Sequence, residues 1–207
     1  AIHWYNGVYY NRYHNLRMLG FDSFFTLDTT VTPFEKKGMF VSDEEHYRAI
    51  LHQLSETEGR DFIFCLTMQN HGDFRITYGA QTPFSNQVSD RTCAILTNYC
   101  WLLEQSDAAL ESFITQLSDL DEPTMVVFFS DHIPPLGTDV YEEIGISATG
   151  DAGHLTPYFI WSNDGGIAPG ETNLYSWQLG AYALTLAGMN DDPFFAYVER
   201  LREAADD

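Results

Sequence analysis

Cations are scarce in this sequence. Lys and Arg number 10 against 30 Asp and Glu, a formal charge of −20 at pH 7. A nucleic-acid partner needs basic side chains to neutralise its phosphates, so the deficit argues against one. Any anionic substrate must be drawn in by something local, such as a metal ion. Cysteine is equally sparse. Cys65, Cys93 and Cys100 show no C-x-x-C spacing, which gives neither a zinc ribbon nor a disulfide framework. Cys93 and Cys100 lie seven apart on an expected helix, about 10 Å along its axis, too far to bridge. No apolar run approaches the ~18 residues of a membrane-spanning helix. P-loop, G-x-S-x-G and H-E-x-x-H motifs are absent, as are internal repeats and low-complexity tracts.

What is present is a globular composition. The 207 residues are 44% apolar and rich in Phe and Tyr, enough for one substantial core. The opening "AIHWYNGVYYNRYHNLRMLGFDSFF" starts inside an aromatic, structured-looking stretch and reads as a segment of a longer chain. Residues 11–19 predict a short helix closed by Gly20. Residues 43–55 predict an amphipathic helix through Tyr47, Ile50, Leu51 and Leu54, capped by Ser42 or Asp43. The apolar runs "DFIFCLTM" (61–68), "TMVVFF" (124–129) and "PYFIWS" (157–162) predict buried strands. Between them, residues 90–118 predict a long helix with Leu96, Cys100, Leu103, Leu110, Ile114 and Leu117 in one stripe. Residues 71–88 and 130–156 read as loops, and 176–187 and 193–204 as helices. Strand, helix and strand in succession point to a layered α/β fold.

Two of the apolar runs end in unusual polar residues. "TMQNHGD" carries Asn70 and His71, and "VVFFSDHIPPLG" carries Asp131 and His132. Ligands of open α/β sheets bind beyond the carboxyl ends of parallel strands, so both sets could share one crevice. Asp131 and His132 offer an oxygen and a nitrogen ligand suited to Mn²⁺ or Zn²⁺, and Pro134 and Pro135 stiffen the adjoining loop. The plain alternative, Ser130-Asp131 capping a turn beside an exposed His132, stands equally open on these residues alone. Gly72 permits close backbone approach at His71, which favours a substrate-facing role over a structural one. His154 lies in a loop and reads as a non-ligand. His14, His46 and His52 read as surface residues of helices. In "HWYNGVYYNR", Arg12 could grip a phosphate or sulfate with two hydrogen bonds, with an ordinary salt bridge as the alternative. No Ser or Thr stands in an obvious nucleophile setting.

In this order "DFIFCLTMQNHGDF", "SDAALESFITQL", "PTMVVFFSDHIPPLG" and "LTPYFIWSN" resemble the C-terminal part of the catalytic domain of lipoteichoic acid synthase-like proteins. These form part of the sulfatase branch of the alkaline phosphatase superfamily. The similarity runs over nearly the whole chain. It implies an alkaline phosphatase-like α/β fold, mostly parallel sheet flanked by helices, with residues 1–207 as an incomplete portion of the domain. It also implies a membrane-anchored enzyme with an extracellular catalytic domain. Such an enzyme transfers glycerol phosphate from a phospholipid head group in cell-envelope polymer synthesis, through a phospho-threonine intermediate.

One Mn²⁺ (or Mg²⁺ or Zn²⁺) is then held by a Glu, the Thr nucleophile and an Asp-His pair, which Asp131 and His132 match. His71, beside Asn70, matches a substrate-contacting His, and His3 and Arg12 match a His and an Arg of the substrate pocket. The family's Asp two residues after that His is here Tyr5, and its Trp two before the Arg is Tyr10. The Glu and the Thr are expected upstream of Ala1. The 207 residues alone are therefore expected to bind Mn²⁺ weakly and to turn over no phosphodiester. A part of the sheet left uncovered is expected to expose an apolar face and to favour self-association. The rival readings are a sulfatase or phosphodiesterase of the same superfamily, and a non-catalytic binding module.

Overall fold

The computed structural model describes residues 1–31, 33–78, 82–189 and 191–206. Where the length suggests one core, the contacts gather in two compact units. One comprises Ala1–Thr115 and Ile133–His154, the other Gln116–His132 and Leu155–Asp207. No helix among the described residues is long and apolar enough to cross a membrane.

The first unit opens with β1 (Ile2–His3), α1 (Arg12–Met18) and β2 (Phe25–Thr26), the two strands pairing in parallel. Gly20, at φ 92°, ends the α1 segment as expected. Gly7 lies in the turn before α1. A Cβ there would sit 2.7 Å from the Tyr13 ring, so a larger residue would force that ring to move. A hairpin of β3 (Lys36–Lys37) and β4 (Phe40–Val41) leads into α2 (Asp43–Glu56). Ser42, not Asp43, is its N-cap, accepting from the Glu45 N–H at 3.3 Å.

The run 61–68 forms no strand: among the described residues it makes one bridge, Cys65 beside Ile2 in parallel. Its apolar side chains suit a central strand. Its only ladder partner among the described residues is the two-residue β1, through Ile2 N–H to Phe64 O and Leu66 N–H to Ile2 O. The adjoining core gathers Ile2, Trp4 and Val41 with Cys65, whose thiol is pushed up to about 12 by burial.

The long helix forms as expected, as α3 (Asp90–Ser118), and Leu96 and Leu117 of the expected stripe are buried, but its middle turns toward a neighbouring face. Leu102 is 1% exposed and Leu103 45%. The buried residues of α3 are Thr92, Ile95, Leu96, Asn98, Leu102, Ser106, Phe113 and Leu117. Three of them are polar, so a stripe drawn through apolar residues alone catches only part of the face. Tyr47 of α2 stacks on Phe113 at 4.6 Å between centroids. The expected loop 130–156 contains a short helix, α4 (Thr138–Glu143), whose Val140 is fully buried beside Phe74, Ile95, Leu96 and Leu102. Glu143 accepts from Ser89 N–H, Ser89 Oγ and Thr92 Oγ1 at the start of α3, and these bonds lower its pKa.

The second unit pairs β5 (Met125–Phe129) with β6 (Tyr158–Ser162). Its pairing is antiparallel, so the parallel pairings of the described residues lie in the first unit. Phe128 stacks on Phe159 across the ladder at 5.0 Å. The Asn163 carboxamide accepts from Thr124 N–H and donates to the carbonyls of Leu117, Leu120 and Glu122. It thereby caps the end of α3. Two helices complete the unit, α5 (Ser176–Leu186) and α6 (Pro193–Asp206). Arg202 of α6 lies 5.0 Å over the Tyr182 ring of α5 and pairs with Glu199 at 2.8 Å.

His46 corrects the sequence reading. It is fully buried, not a surface residue. Its Nδ1–H donates to Ser42 O at 2.9 Å, and its Nε2 accepts the Trp4 N–H at 3.2 Å. An amphipathic pattern scored on apolar residues gives no sign that a His faces inward.

Burial, opposed by the Ser42 bond, pushes the His46 pKa down to about 4 from an ordinary 6.5. The unfolded chain therefore takes up a proton that the folded one refuses. Stability is full above pH 6.5 and falls as pH drops toward 4, by about 3 kcal/mol from this group. Urea midpoints measured against pH are expected to fall across that window, and to fall less in His46→Gln. Leu102→Ala is expected to cost about 2–5 kcal/mol and Leu103→Ala under about 0.5 kcal/mol, read by the same unfolding curves.

Candidate functional site

The site begins at β1. Its second residue, His3, is 1% exposed and packs inward. Leu66 O can only accept, so the 2.8 Å contact fixes Nδ1 as the donor. Nε2 is left as an acceptor, and it is buried without a hydrogen-bond partner. Burial first, and the Arg12 charge after it, lower the pKa against the opposing Leu66 bond, which keeps the ring neutral. His3, Tyr10, Arg12, Asn15, Phe24 and Phe64 are among the residues lining one small pocket of about 170 Å³.

The chain reaches Arg12 through strained backbone. Tyr10 and Asn11 take φ of 56° and 52°, the left-handed region that non-glycine residues seldom occupy. Asn15 Nδ2 supports this turn by donating to Tyr10 O at 2.9 Å. Tyr10 is thereby turned outward, 81% exposed, with the Arg12 guanidinium 4.9 Å from its ring centroid. The ordinary salt bridge weighed for Arg12 does not form: no ion pair among the described residues includes it.

His71 ends a 3₁₀ turn, Gln69–His71. Gly72 comes next at φ 100°, a conformation that explains the glycine. The His71 ring is exposed and meets Phe40 edge-on at 6.0 Å. Phe40 meets Tyr5 at 5.7 Å, and Tyr5 meets both Tyr9 at 5.7 Å and His3 at 6.0 Å. The two histidines are thus linked by one run of aromatic contacts within the first unit. Asn70 faces inward from the same turn, its Nδ2 donating to Ser106 Oγ at 2.7 Å. Tyr9, Phe40, Gln69 and Ser106 carry this arrangement and went unassigned in the sequence. The nearest signal was the high aromatic content of residues 3–10.

Asp131 and His132 lie in the second unit, just past β5. Ser130 N–H reaches Pro157 O at 3.4 Å and Thr156 Oγ1 donates to Ser130 O at 2.9 Å, which ties this strand end to the approach to β6. Both side chains are open to solvent, and His132 Nε2 stands 3.7 Å from Asp131 Oδ1. Metal–ligand bonds of about 2.1 Å at tetrahedral angles hold two ligands about 3.4 Å apart, so the pair fits one shared cation. Among the described residues no group of three or more His, Cys, Asp or Glu side chains converges. Asp131 and His132 thus stand as a two-residue pair among the described residues. His154, in the turn Asp151–His154, belongs to no such group, and His14 and His52 are exposed.

Comparison with known proteins adds to this geometry. The sulfatase family model matches residues 1–198. A Rhizobium meliloti (strain 1021) protein named for cyclic beta-1,2-glucan modification is 30% identical over 179 residues, covering 80% of this chain and 28% of the relative. The capsular polysaccharide biosynthesis protein RkpI of the same organism is 33% identical over 137 residues, covering 65% and 24%. Among solved structures, the Streptococcus pyogenes phosphoglycerol transferase GacH in complex with sn-glycerol-1-phosphate superposes with a TM-score of 0.74 and 25% identity. That match covers 97% of this chain and 52% of that one. The chain spans about a quarter of the length of the curated relatives it matches. The expected resemblance and the alkaline phosphatase-like fold are both borne out, and the chain belongs to the sulfatase family.

Proposed function

We propose that the intact protein is a metal-dependent phosphotransferase of the cell surface, which moves glycerol phosphate or a close relative onto an envelope glycan. One observation carries this reading: a buried, neutral His3 whose Nε2 has no partner, in a small pocket with an Arg12 that no carboxylate engages. The guanidinium supplies paired N–H donors for phosphate oxygens. The Nε2 of His3 can only accept, so its partner in the complex is a hydroxyl, as a phosphoglycerol group provides. His71, at the far end of the aromatic contacts, orients the same group. GacH, a phosphoglycerol transferase solved with sn-glycerol-1-phosphate, and the two polysaccharide-related Rhizobium proteins support the donor and the acceptor class.

Asp131 and His132 would hold the cation, Mn²⁺ or a similar ion, with further ligands and the attacking Thr hydroxyl coming from residues beyond these 207. When bound, such an ion supplies Lewis-acid polarisation of a phosphoryl oxygen. Residues 1–207 are, in this reading, part of one extracellular, membrane-anchored catalytic domain. A second reading, hydrolysis of a different phosphate or sulfate ester, is favoured by Tyr5. Its ring packs edge-on against His3, where the resembling family carries a carboxylate.

In the intact protein, Mn²⁺-dependent cleavage of a nitrophenyl phosphodiester is expected to fall more than about a hundredfold in Asp131→Ala. Chelation should abolish it and Mn²⁺ restore it. Arg12→Ala is expected to weaken binding of sn-glycerol-1-phosphate about ten- to a hundredfold by calorimetry, through the lost charge-assisted bonds. Full activity in Asp131→Ala would sink the metal assignment, and unchanged affinity in Arg12→Ala would sink the phosphate site. Release of sulfate from an aryl sulfate, with no phosphodiester turnover, would favour the second reading.

A further inference from the structure

The turn that presents His71 is held from beneath by a buried polar cluster. Gln69 is 1% exposed, Asp43 4% and Ser106 9%. Backbone partners fix the Gln69 amide: Oε1 accepts the Asp43 N–H at 2.9 Å, and Nε2 donates to Leu102 O at 3.0 Å. Nε2 also donates to Ser106 Oγ at 2.8 Å, and Asn70 Nδ2 donates to the same oxygen at 2.7 Å. Ser106 in turn donates to Asp43 Oδ2 at 2.6 Å. A hydroxyl has one hydrogen and two acceptor lone pairs, and Ser106 uses all three.

We infer that Ser106 is a positioning residue: its hydroxyl, fully committed to Gln69, Asn70 and Asp43, sets where the 69–71 turn holds the His71 imidazole. Ser106 touches no substrate. It acts through the two residues that precede His71, which it clamps against α3 and the first residue of α2. Alanine at this position leaves two amide donors and a carboxylate oxygen short of a partner in a dry interior. Threonine keeps the hydroxyl. The inference rests on the proposed role of His71 in orienting the substrate.

The test uses the intact protein and two readouts. Amide hydrogen exchange across residues 69–72 is expected to rise in Ser106→Ala and to stay near wild type in Ser106→Thr, with exchange at 95–102 unchanged in both. In Mn²⁺-dependent phosphodiester turnover, Ser106→Ala is expected to lower kcat/KM about tenfold in the wild-type background. The same substitution should have no further effect in His71→Ala, yet keep its full effect in Arg12→Ala. Should Ser106→Ala fail to fold, Asn70→Ala is read the same way, since it removes one bond from a half-buried side chain. Unchanged exchange at 69–72 overturns the inference, as does an equal loss in the His71→Ala background. If His71→Ala itself retains full turnover, the role of His71 falls, and the exchange measurement alone decides whether Ser106 holds the turn.

Discussion

The hydroxyl of Ser106 closes a set of hydrogen bonds that joins the first residue of α2, the middle of α3 and the turn before His71. Its setting makes this demanding. Burial raises the pKa of Asp43, opposed by bonds from Ser106, Thr67 and the Gln69 segment. Buried polar groups cost free energy unless paired, and in a low local dielectric their pairings are directional and costly to break. The apolar contacts around them, Tyr47 on Phe113 and Leu102 against Phe74 and Val140, tolerate small shifts. The hydrogen bonds do not, so they define how α2, α3 and the turn meet.

A second polar clamp works one turn further along α2. His46 takes the Trp4 N–H and returns its own proton to Ser42 O. Trp4 is therefore anchored directly after His3, and Leu66 O fixes the His3 ring from the opposite direction. His3 lines the pocket, and His46 holds the residue that follows it. This matters in a chain of net charge −20, whose long-range field repels anions. The left-handed turn at Tyr10 and Asn11 delivers Arg12 to the pocket lining, where no ion pair among the described residues includes it.

Much of the secondary structure was legible because it depends on local spacing. Ser42 as N-cap, Gly20 after α1 and the 29-residue α3 come from rules that act within a few residues. Misreadings arose where a residue's role is set by something far away in sequence. Leu103 and Leu102 are both apolar, and which one faces inward depends on Asn98 and Ser106, whose partners are Phe74 O and Asp43. The run 61–68 has the composition of a strand, yet strand formation needs a neighbour, and β1 offers two residues.

Similar reasoning separates the parts of the candidate site. The sequence by itself determined the inventory: an Asp-His pair after an apolar strand, an Asn-His-Gly turn and a rare Arg in an aromatic stretch, together with the family resemblance those motifs carry. It determined the helices other than the short α4 as well, since capping and periodicity act over one or two turns. Only the tertiary structure decided that His3 is buried with an idle acceptor, that His46 points inward, and that aromatic rings connect His3 to His71. Those facts arise from contacts between residues dozens of positions apart, such as His3 with Leu66 and Trp4 with His46. Local pattern carries no information about which distant backbone group will meet a given side chain. That pairing is fixed when the core closes and buried donors and acceptors find partners across the chain.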